Sequence, residues 1–214
     1  MALQSSRGPV PKGAIQLSSA DALNYQWEQI RNWPDKTDVW PYRYGFSAQA
    51  FLSVASATFI HNRFRKAWKL RHYGFAASLL PMVIVPPILS VIFHCQLVSA
   101  DIILFRRQCP LCLQYRASAI QVACGMVYPL IMSPIANSMF VLHYGTTRIP
   151  YWKDFRGHWE MWKKVTMPMS KHLVFFTLAH VLLAGFVTYG EFESLYTIRS
   201  KLSKNQNTDK EITQ

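Results

Sequence analysis

Two cysteines separated by two residues, Cys109 and Cys112, carry the strongest chemical signal in the sequence. A CxxC pair can form a disulfide, exchange disulfides with another protein or contribute ligands to a metal site. Three arginines, Arg106, Arg107 and Arg116, lie close by, and an apolar stretch follows. Positive charge and the amino end of a helix both favour the thiolate, so the pair could act as a nucleophile.

The other two cysteines do not supply the second exchangeable pair that a thiol relay needs. Cys124 lies 12 residues beyond Cys112, which on a helix is about 18 Å along the axis and too far for a disulfide. Cys95 follows His94, and adjacent helical residues point about 100° apart and chelate a metal poorly. We therefore predict no catalytic residue, metal or cofactor, a packed thiol at Cys124, and a structural disulfide between Cys109 and Cys112, with free thiols as the alternative.

The apolar residues are gathered into four blocks of the 214-residue chain, at roughly 45–60, 75–98, 117–142 and 173–189. A helix needs about 20 apolar residues to cross a bilayer. The second and third blocks meet that length easily, and the first is the shortest. We predict an all-α integral membrane protein, in which residues 45–192 form a four-helix transmembrane bundle with short amphipathic helices at the interface.

Basic residues are concentrated in the connectors beside these blocks, and the formal net charge is +12. The first connector carries Arg63, Arg65, Lys66, Lys69 and Arg71, and the third carries Arg148, Lys153, Arg156, Lys163, Lys164 and Lys171. This placement is typical of membrane sidedness and argues against nucleic-acid binding. In the mitochondrial inner membrane the basic loops would face the matrix, and both termini and the CxxC loop would face the intermembrane space, where disulfides can form.

The four predicted spans contain no Asp, Glu, Lys or Arg, which an ion or proton path normally needs. Phosphate-loop, nucleophile-elbow and metalloprotease motifs are also missing from the sequence. These observations disfavour transport and hydrolysis.

Prolines and small or polar residues in spans two and three mark predicted kinks and helix contacts. They are Pro81, Pro86, Pro87, Gly125, Tyr128, Pro129, Pro134 and Asn137. Proline removes a backbone donor, so neighbouring helices must cover the carbonyls that it leaves without a partner. We therefore predict that span two is central in the bundle. His180, in span four, is predicted to hydrogen-bond inside it.

The third connector has the clearest amphipathic pattern. Aromatic residues at steps of three and four alternate with cations: Trp152, Phe155, Trp159 and Trp162 with Lys153, Arg156, Lys163 and Lys164. This pattern predicts a helix in the headgroup layer that contacts anionic lipid, cardiolipin being one candidate. A groove on a partner protein is the alternative contact.

The two ends of the chain are polar. Residues 1–44 contain a short amphipathic helix that Ser18 and Asp21 would cap and Pro34 would end. Residues 193–214 have a mixed-charge composition that predicts a disordered tail.

The central run resembles the transmembrane protein 126 family of small mitochondrial inner-membrane proteins. The matching positions are Cys109, Cys112, Arg116, Gly125, Tyr128, Pro129, Asn137 and Tyr144, with Asn62 to Lys66 and Leu80 to Met82 in addition. The likeness covers roughly residues 45–189 and is weak at both ends.

This resemblance implies a non-enzymatic assembly factor for the membrane arm of respiratory complex I (NADH:ubiquinone oxidoreductase). The implied partners are membrane-arm subunits and other assembly factors of that complex. Charge and periodicity alone predict only a four-span inner-membrane scaffold. The alternative is a membrane thiol–disulfide oxidoreductase that uses Cys109 and Cys112, similar to four-span enzymes that resemble vitamin K epoxide reductase.

Overall fold

The computed structural model describes residues 17–106, 109–151 and 153–212, and these residues form helices and short connections without strands. The helices are α1 (Ser19–Arg31), α2 (Phe46–Ala67), α3 (Phe75–His94), α4 (Ala100–Ile103), α5 (Pro110–Val122), α6 (Tyr128–Tyr144), α7 (Phe155–Thr166) and α8 (Ser170–Ile212). Three π-helical turns, Pro41–Gly45, Cys95–Ser99 and Ala123–Val127, lead into α2, join α3 to α4 and join α5 to α6, and a 3₁₀ turn, Met167–Met169, joins α7 to α8.

Three helical stretches are long and apolar enough to cross a membrane: Phe75–Ile103, Pro110–Tyr144 and Phe155–Lys204. Helix α2 is not among them, because polar and basic residues such as Gln49, His61 and Arg65 interrupt its apolar face. The structure therefore confirms an all-helical membrane protein with three candidate spans, and the fourth span stays a prediction.

The chain crosses the molecule four times between two ends. Helix α2 begins where the Tyr42 hydroxyl donates to the backbone oxygen of Glu191, and it ends where Thr146 and Thr147 donate to the carbonyl of Trp68. We call residues 68–74 and 145–151 the connector end. Both basic connectors therefore reach the same end of the molecule.

The opposite end, here called the thiol end, contains α1, Cys109 with Cys112, and residues 191–204 of α8. Ser18 caps α1, because its hydroxyl accepts from the backbone N–H of Asp21, as the capping pattern predicts. Ile30 of α1 is buried and packs with Tyr42 and Ile198. The N-terminal amphipathic helix is thus docked on the bundle.

Helix α3 does not occupy the centre of the bundle. Its most apolar window is 22% buried, against 33% in Pro110–Tyr144 and 28% in Phe155–Lys204. One face of α3 is exposed, with Leu80, Ile84, Ile88 and Ile92 each 44–54% accessible. The prediction of a central span two is therefore wrong, since α3 is the least buried of the three candidate spans and α2 contributes five buried polar or charged residues against three from α3.

Helix α8 continues to Ile212, through the segment where we predicted a disordered tail. Leu195 and Ile198 extend its buried stripe beyond the fourth apolar block. Lys201 then contacts the carboxylates of Asp35 and Asp38 at 2.8 and 2.5 Å. Contacts with the N-terminal segment, which the local composition does not reveal, thus accompany the extension of the helix.

Candidate functional site: a polar seam through the bundle

A row of buried polar side chains runs through the middle of the bundle, and we call it the polar seam. Its members are Gln49, Ser53, Ser56, His61, Ser90, Gln121, Asn137 and His180, each at most 1% exposed. In hydrocarbon such groups must find partners within the protein, so their contacts specify how the helices pack.

The centre of the seam forms around a proline. Pro129 has no N–H, so the carbonyl of Gly125, four residues earlier, lacks its usual helical donor. The Ser56 hydroxyl donates to that carbonyl at 2.8 Å, and its oxygen lies 3.1 Å from Nε2 of His180. A Cβ on Gly125 would lie 2.4 Å from Cε1 of His180. Gly125 and Pro129, two residues of the family-like run, thus create a contact between three helices.

Pro134 leaves a second carbonyl without its helical donor, that of Leu130. The indole N–H of Trp162, which belongs to α7, donates to this oxygen at 3.1 Å. Helix α7 is therefore tied to α6 by a hydrogen bond and is not held by lipid contact alone.

A glutamine connects three helices nearer the thiol end. Nε2 of Gln121 donates to the carbonyl of Gln49 at 2.9 Å and to Oγ of Ser53 at 3.2 Å, while its amide oxygen accepts from the Ser90 hydroxyl. These bonds join α5 to α2 and α3. Gln49, Ser90 and Gln121 were not among the predicted packing positions, because a buried glutamine or serine looks like any polar residue in a single sequence.

The remaining predicted packing positions differ in environment. Pro86 and Asn137 are buried, Pro87 and Tyr128 are half-buried, and Pro81 is exposed. Nδ2 of Asn137 lies 3.5 Å from Nδ1 of His61. Pro81 therefore faces outward, away from the seam.

At the connector end Arg65 is buried, with 3% of its surface exposed. Its guanidinium donates to Oγ of Ser78 at 2.7 Å and to the carbonyls of Arg71 and Tyr73 at 2.9 and 2.8 Å. Arg71 has a φ of 44°, in the left-handed region that costs energy for a residue with a Cβ. Arg65, which the sequence presents as one more loop cation, thus holds the turn between α2 and α3.

At the thiol end Glu191 is fully buried. Its Oε1 accepts from the Ser99 hydroxyl at 2.9 Å and lies 3.2 Å from Nε2 of His94. Among the described residues its Oε2 has no hydrogen-bond partner. Glu191 lies in the candidate span Phe155–Lys204, so the helix that contains the predicted fourth apolar block also carries a buried carboxylate.

Glu191 was missed because it lies two residues beyond the predicted fourth apolar block. A signal was nevertheless present, since the buried positions of α8 recur at steps of three and four. These positions are Ala184, Val187, Thr188, Glu191, Ser194, Leu195 and Ile198. Extending the helical period past Tyr189 would have placed Glu191 on the buried face.

Cys109 and Cys112 are both exposed, and no disulfide joins them in the described part of the chain. Cys109 is the N-cap of α5, and its Sγ accepts from the backbone N–H of Cys112 at 3.4 Å. Hydrogen bonds from the side chain and then the backbone of Cys112 lower the pKa of the Cys109 thiol. The disulfide stays a prediction, and the geometry also suits a nucleophilic thiolate.

Arg116 does not contact this thiol pair in the described structure. Its Nη1 donates to the carbonyl of Leu97 at 2.7 Å and to Oδ2 of Asp101 at 2.9 Å. It therefore links α5 to the π-helical turn and α4. Cys124 is buried, as predicted. Within residues 17–106, 109–151 and 153–212, no group of three or more His, Cys, Asp or Glu side chains is placed to hold a metal ion.

Helix α7 contains most of the predicted interfacial residues. Asp154 caps it by accepting from the backbone N–H of Gly157 at 3.0 Å. Phe155 is 80% exposed and Trp159 57% exposed, and the Trp159 ring stacks on that of Trp162 at 4.9 Å. The predicted cations Lys153, Arg156, Lys163 and Lys164 are all exposed. Trp152 lies outside the described residues.

Comparison with known proteins covers almost all of this structure. A family model described as Transmembrane protein 126 matches residues 23–205. The chain is 32% identical over 181 residues to Transmembrane protein 126 of Drosophila melanogaster, which covers 84% of this chain and 81% of that protein. It is 25% identical over 175 residues to Transmembrane protein 126A of Mus musculus, which covers 81% and 86%. No solved structure matches the chain.

Proposed function

The chain belongs to the transmembrane protein 126 family, and we propose that it is a non-enzymatic scaffold that supports assembly of the membrane arm of respiratory complex I. In this proposal it lies in the mitochondrial inner membrane and spans it four times, with α2 as the first span. Its partners are membrane-arm subunits and other assembly factors of complex I.

The observation that carries the proposal is the division between a polar interior and apolar outer faces. All seam side chains except that of Gln49, whose amide atoms have no partner among the described residues, bond to one another across helices, and broad apolar faces remain for other membrane helices. Helix α6 presents Met139 and Leu142 at 70–72% exposure, and α8 presents Val174, Phe175, Leu178, Leu182 and Phe186 at 57–71%. Apolar faces on a braced bundle suit helix–helix packing with partner subunits.

The orientation in this proposal follows from charge. The connector end carries the two basic connectors and would face the matrix. The thiol end, with α1 and the CxxC pair, would face the intermembrane space. A protease-accessible C-terminal tag in mitoplasts supports this orientation, and a protected tag contradicts it.

Depletion of the protein in cells tests the proposed role. We expect assembled complex I to fall on a native gel while the other respiratory complexes persist, and a wild-type copy should restore it. Unchanged complex I in cells that lack the protein would contradict the proposal.

A thiol–disulfide oxidoreductase is the second candidate, and the lowered pKa of the exposed Cys109 favours it. In such a reaction the Cys109 thiolate attacks a substrate disulfide, and one substrate sulfur leaves as a thiolate. Cys112 then attacks the mixed disulfide, which releases the reduced substrate and leaves Cys109 and Cys112 oxidised.

The double variant Cys109→Ser with Cys112→Ser separates the two candidates. The scaffold proposal expects it to restore complex I in depleted cells, whereas the oxidoreductase requires failure at a normal protein level. Cys95→Ser is the control for loss of a thiol outside the motif, and its protein level should match that of the double variant.

A further inference from the structure

We propose that the groove between α6 and α7 is a binding site for an anionic phospholipid, with one acyl chain in the groove and the phosphate near the cations at its rim. This site requires that the chain lie in a membrane, but it does not depend on a role in complex I assembly. It is a defined pocket, in contrast to the general contact of an amphipathic helix with the headgroup layer.

The groove has the size and lining of a ligand site. Its volume is about 560 Å³, within the range of about 300–1,000 Å³ that is common for small-molecule pockets. Helix α6 contributes Ile131, Pro134 and Ile135 to one wall, and α7 contributes Phe155, Trp159 and Trp162 to the other. These walls are almost entirely apolar, which suits a hydrocarbon chain.

The groove owes its shape to the proline in α6. Trp162 donates to the carbonyl of Leu130, which lacks its helical donor because of Pro134. The same indole stacks on Trp159. This bond fixes α7 across α6, so both walls of the groove are held in place and can discriminate among acyl chains.

The position of the groove matches the depth of an acyl chain. Leu130 lies fourteen residues before Tyr144, the last residue of α6, which is about 21 Å along a helix axis. The groove thus leads from the connector end along α6, towards the middle of the candidate span. An acyl chain in it would enter from the same end as the basic connectors.

Charge at the rim favours an anionic lipid. Residues 148–164 carry the five cations Arg148, Lys153, Arg156, Lys163 and Lys164 and the two carboxylates Asp154 and Glu160. Arg156 contacts Glu160 at 3.6 Å, and Asp154 caps α7. Arg148 and Lys153 are exposed at the end where the lipid would enter, within two residues of Ile149 and Phe155, which line the groove. An apolar slot beside exposed cations is complementary to a phospholipid, whereas a partner helix would bring apolar side chains and no phosphate.

Trp68 supplies a second, independent observation. It lines the groove at the connector end and is 5% exposed, and its buried indole N–H has no acceptor among the described residues. Buried donors are rarely left unpaired in proteins. A small rotation of the ring towards an ester or phosphate oxygen of the lipid would supply the acceptor.

Lipid retention by the purified full-length protein tests this site. The protein is reconstituted in nanodiscs of phosphatidylcholine with a minority of phosphatidylglycerol, released into mild detergent and weighed by native mass spectrometry. We expect the retained lipid to be mainly phosphatidylglycerol. Retention in proportion to the supplied mixture would overturn the proposal.

Two matched pairs of variants localise the lipid. Ser138→Phe fills the groove, whereas Met139→Phe adds the same ring to an adjacent position, 70% exposed, that does not line it. Arg148→Gln with Lys153→Gln removes two rim cations, whereas Arg31→Gln with Lys36→Gln removes two exposed cations outside the rim, in and just after α1.

Ser138→Phe should abolish the retained lipid, and Met139→Phe should leave it unchanged. The rim pair should weaken phosphatidylglycerol retention by roughly fivefold per cation, since each cation near an anionic surface contributes about that factor, while the Arg31 and Lys36 pair has no effect. Equal retention by Ser138→Phe and Met139→Phe, or a co-purifying polypeptide that Ser138→Phe displaces, would contradict the lipid site.

Discussion

Arg65 at the connector end and Glu191 at the thiol end are both buried, but their partners come from different distances along the chain. Arg65 bonds to groups 6, 8 and 13 residues away. Glu191 meets groups 92, 97 and 149 residues away through its carboxyl and its backbone oxygen. Arg65 therefore organises one turn, whereas Glu191 joins the N-terminal segment, α3 and α8.

The two residues also differ in how completely they are paired. Both terminal nitrogens of Arg65 have acceptors, while Oε2 of Glu191 has no partner among the described residues. A buried polar group that is only half paired costs more than a fully paired one. The thiol end therefore contains a buried carboxylate oxygen that has no hydrogen-bond partner among the described residues. At the connector end both terminal nitrogens of the buried side chain are paired, and the open feature is the proposed lipid groove on the outer surface.

Removal of the Glu191 carboxylate, which joins distant segments, should have the largest effect on stability. Glu191→Leu leaves the His94 ring and the Ser99 hydroxyl without their shared acceptor, and we expect a loss of about 3 kcal/mol in unfolding free energy. Thermal unfolding of the purified protein in detergent measures it. Glu193→Leu, on the exposed side of α8, is the control, and equal melting of the two variants would contradict the role of Glu191.

Removal of the Arg65 guanidinium should lower the unfolding free energy less and should affect mainly the turn between α2 and α3. Arg65→Met should lower the unfolding free energy by about 2 kcal/mol, because the Arg71 and Tyr73 carbonyls lose a charged donor. Limited proteolysis should then cut between Trp68 and Gly74. Arg63→Met, exposed on the same helix, should remain resistant. If both variants resist cleavage, Arg65 does not hold the turn.

A substitution at Gly125, midway between the two ends, tests the close helix contact at the centre of the polar seam. The Cβ of Gly125→Ala would meet the His180 ring at 2.4 Å, whereas nothing lies within 4 Å of a Cβ at Gly185. Overpacking costs about 1–3 kcal/mol, and the gain in helix propensity offsets up to about 1. We expect Gly125→Ala to melt lower than wild type and Gly185→Ala to melt at least as high. The reverse order would refute the close helix contact.

The smallest effect is expected at the thiol end under acid. Hydrogen bonds from Lys201 and then Trp33 lower the pKa of Asp38 below 3.8. A lowered carboxyl pKa contributes stability above the unfolded value, and this contribution is lost as the pH falls through the folded value.

Tryptophan fluorescence of the N-terminal segment should therefore change reversibly below about pH 4. Lys201→Met should weaken this change, while Lys36→Met, which alters an exposed neighbour, should preserve it. Identical titrations of the two variants would rule out the Lys201 contact as its cause.

The sequence predicts well what depends on local pattern. The second, third and fourth apolar blocks lie in the three candidate spans, and the Ser18 cap, the buried Cys124 and the hydrogen-bonded His180 all agree with the structure. Each of these depends on residues near in sequence or on a strong helical period.

Prediction from the sequence fails where segments distant in the chain determine the environment of a side chain. Glu191, Gln121 and Trp162 bond to partners 92, 68 and 32 residues away, and nothing near them in the chain marks these contacts. The extension of α8 has the same cause, because its exposed residues look like a solvated tail until the N-terminal segment is placed beside Lys201. Helix α2 is not among the three candidate spans because the polar groups that bond to other helices also lower its hydropathy.

Native co-purification of the tagged full-length protein from mitochondria, with its partners identified by mass spectrometry, tests the scaffold role most directly. The account predicts enrichment of complex I membrane-arm subunits and other assembly factors, unchanged when Cys109 and Cys112 are replaced by Ser. Enrichment of disulfide-bonded client proteins that depends on the two cysteines, without complex I subunits, would contradict it.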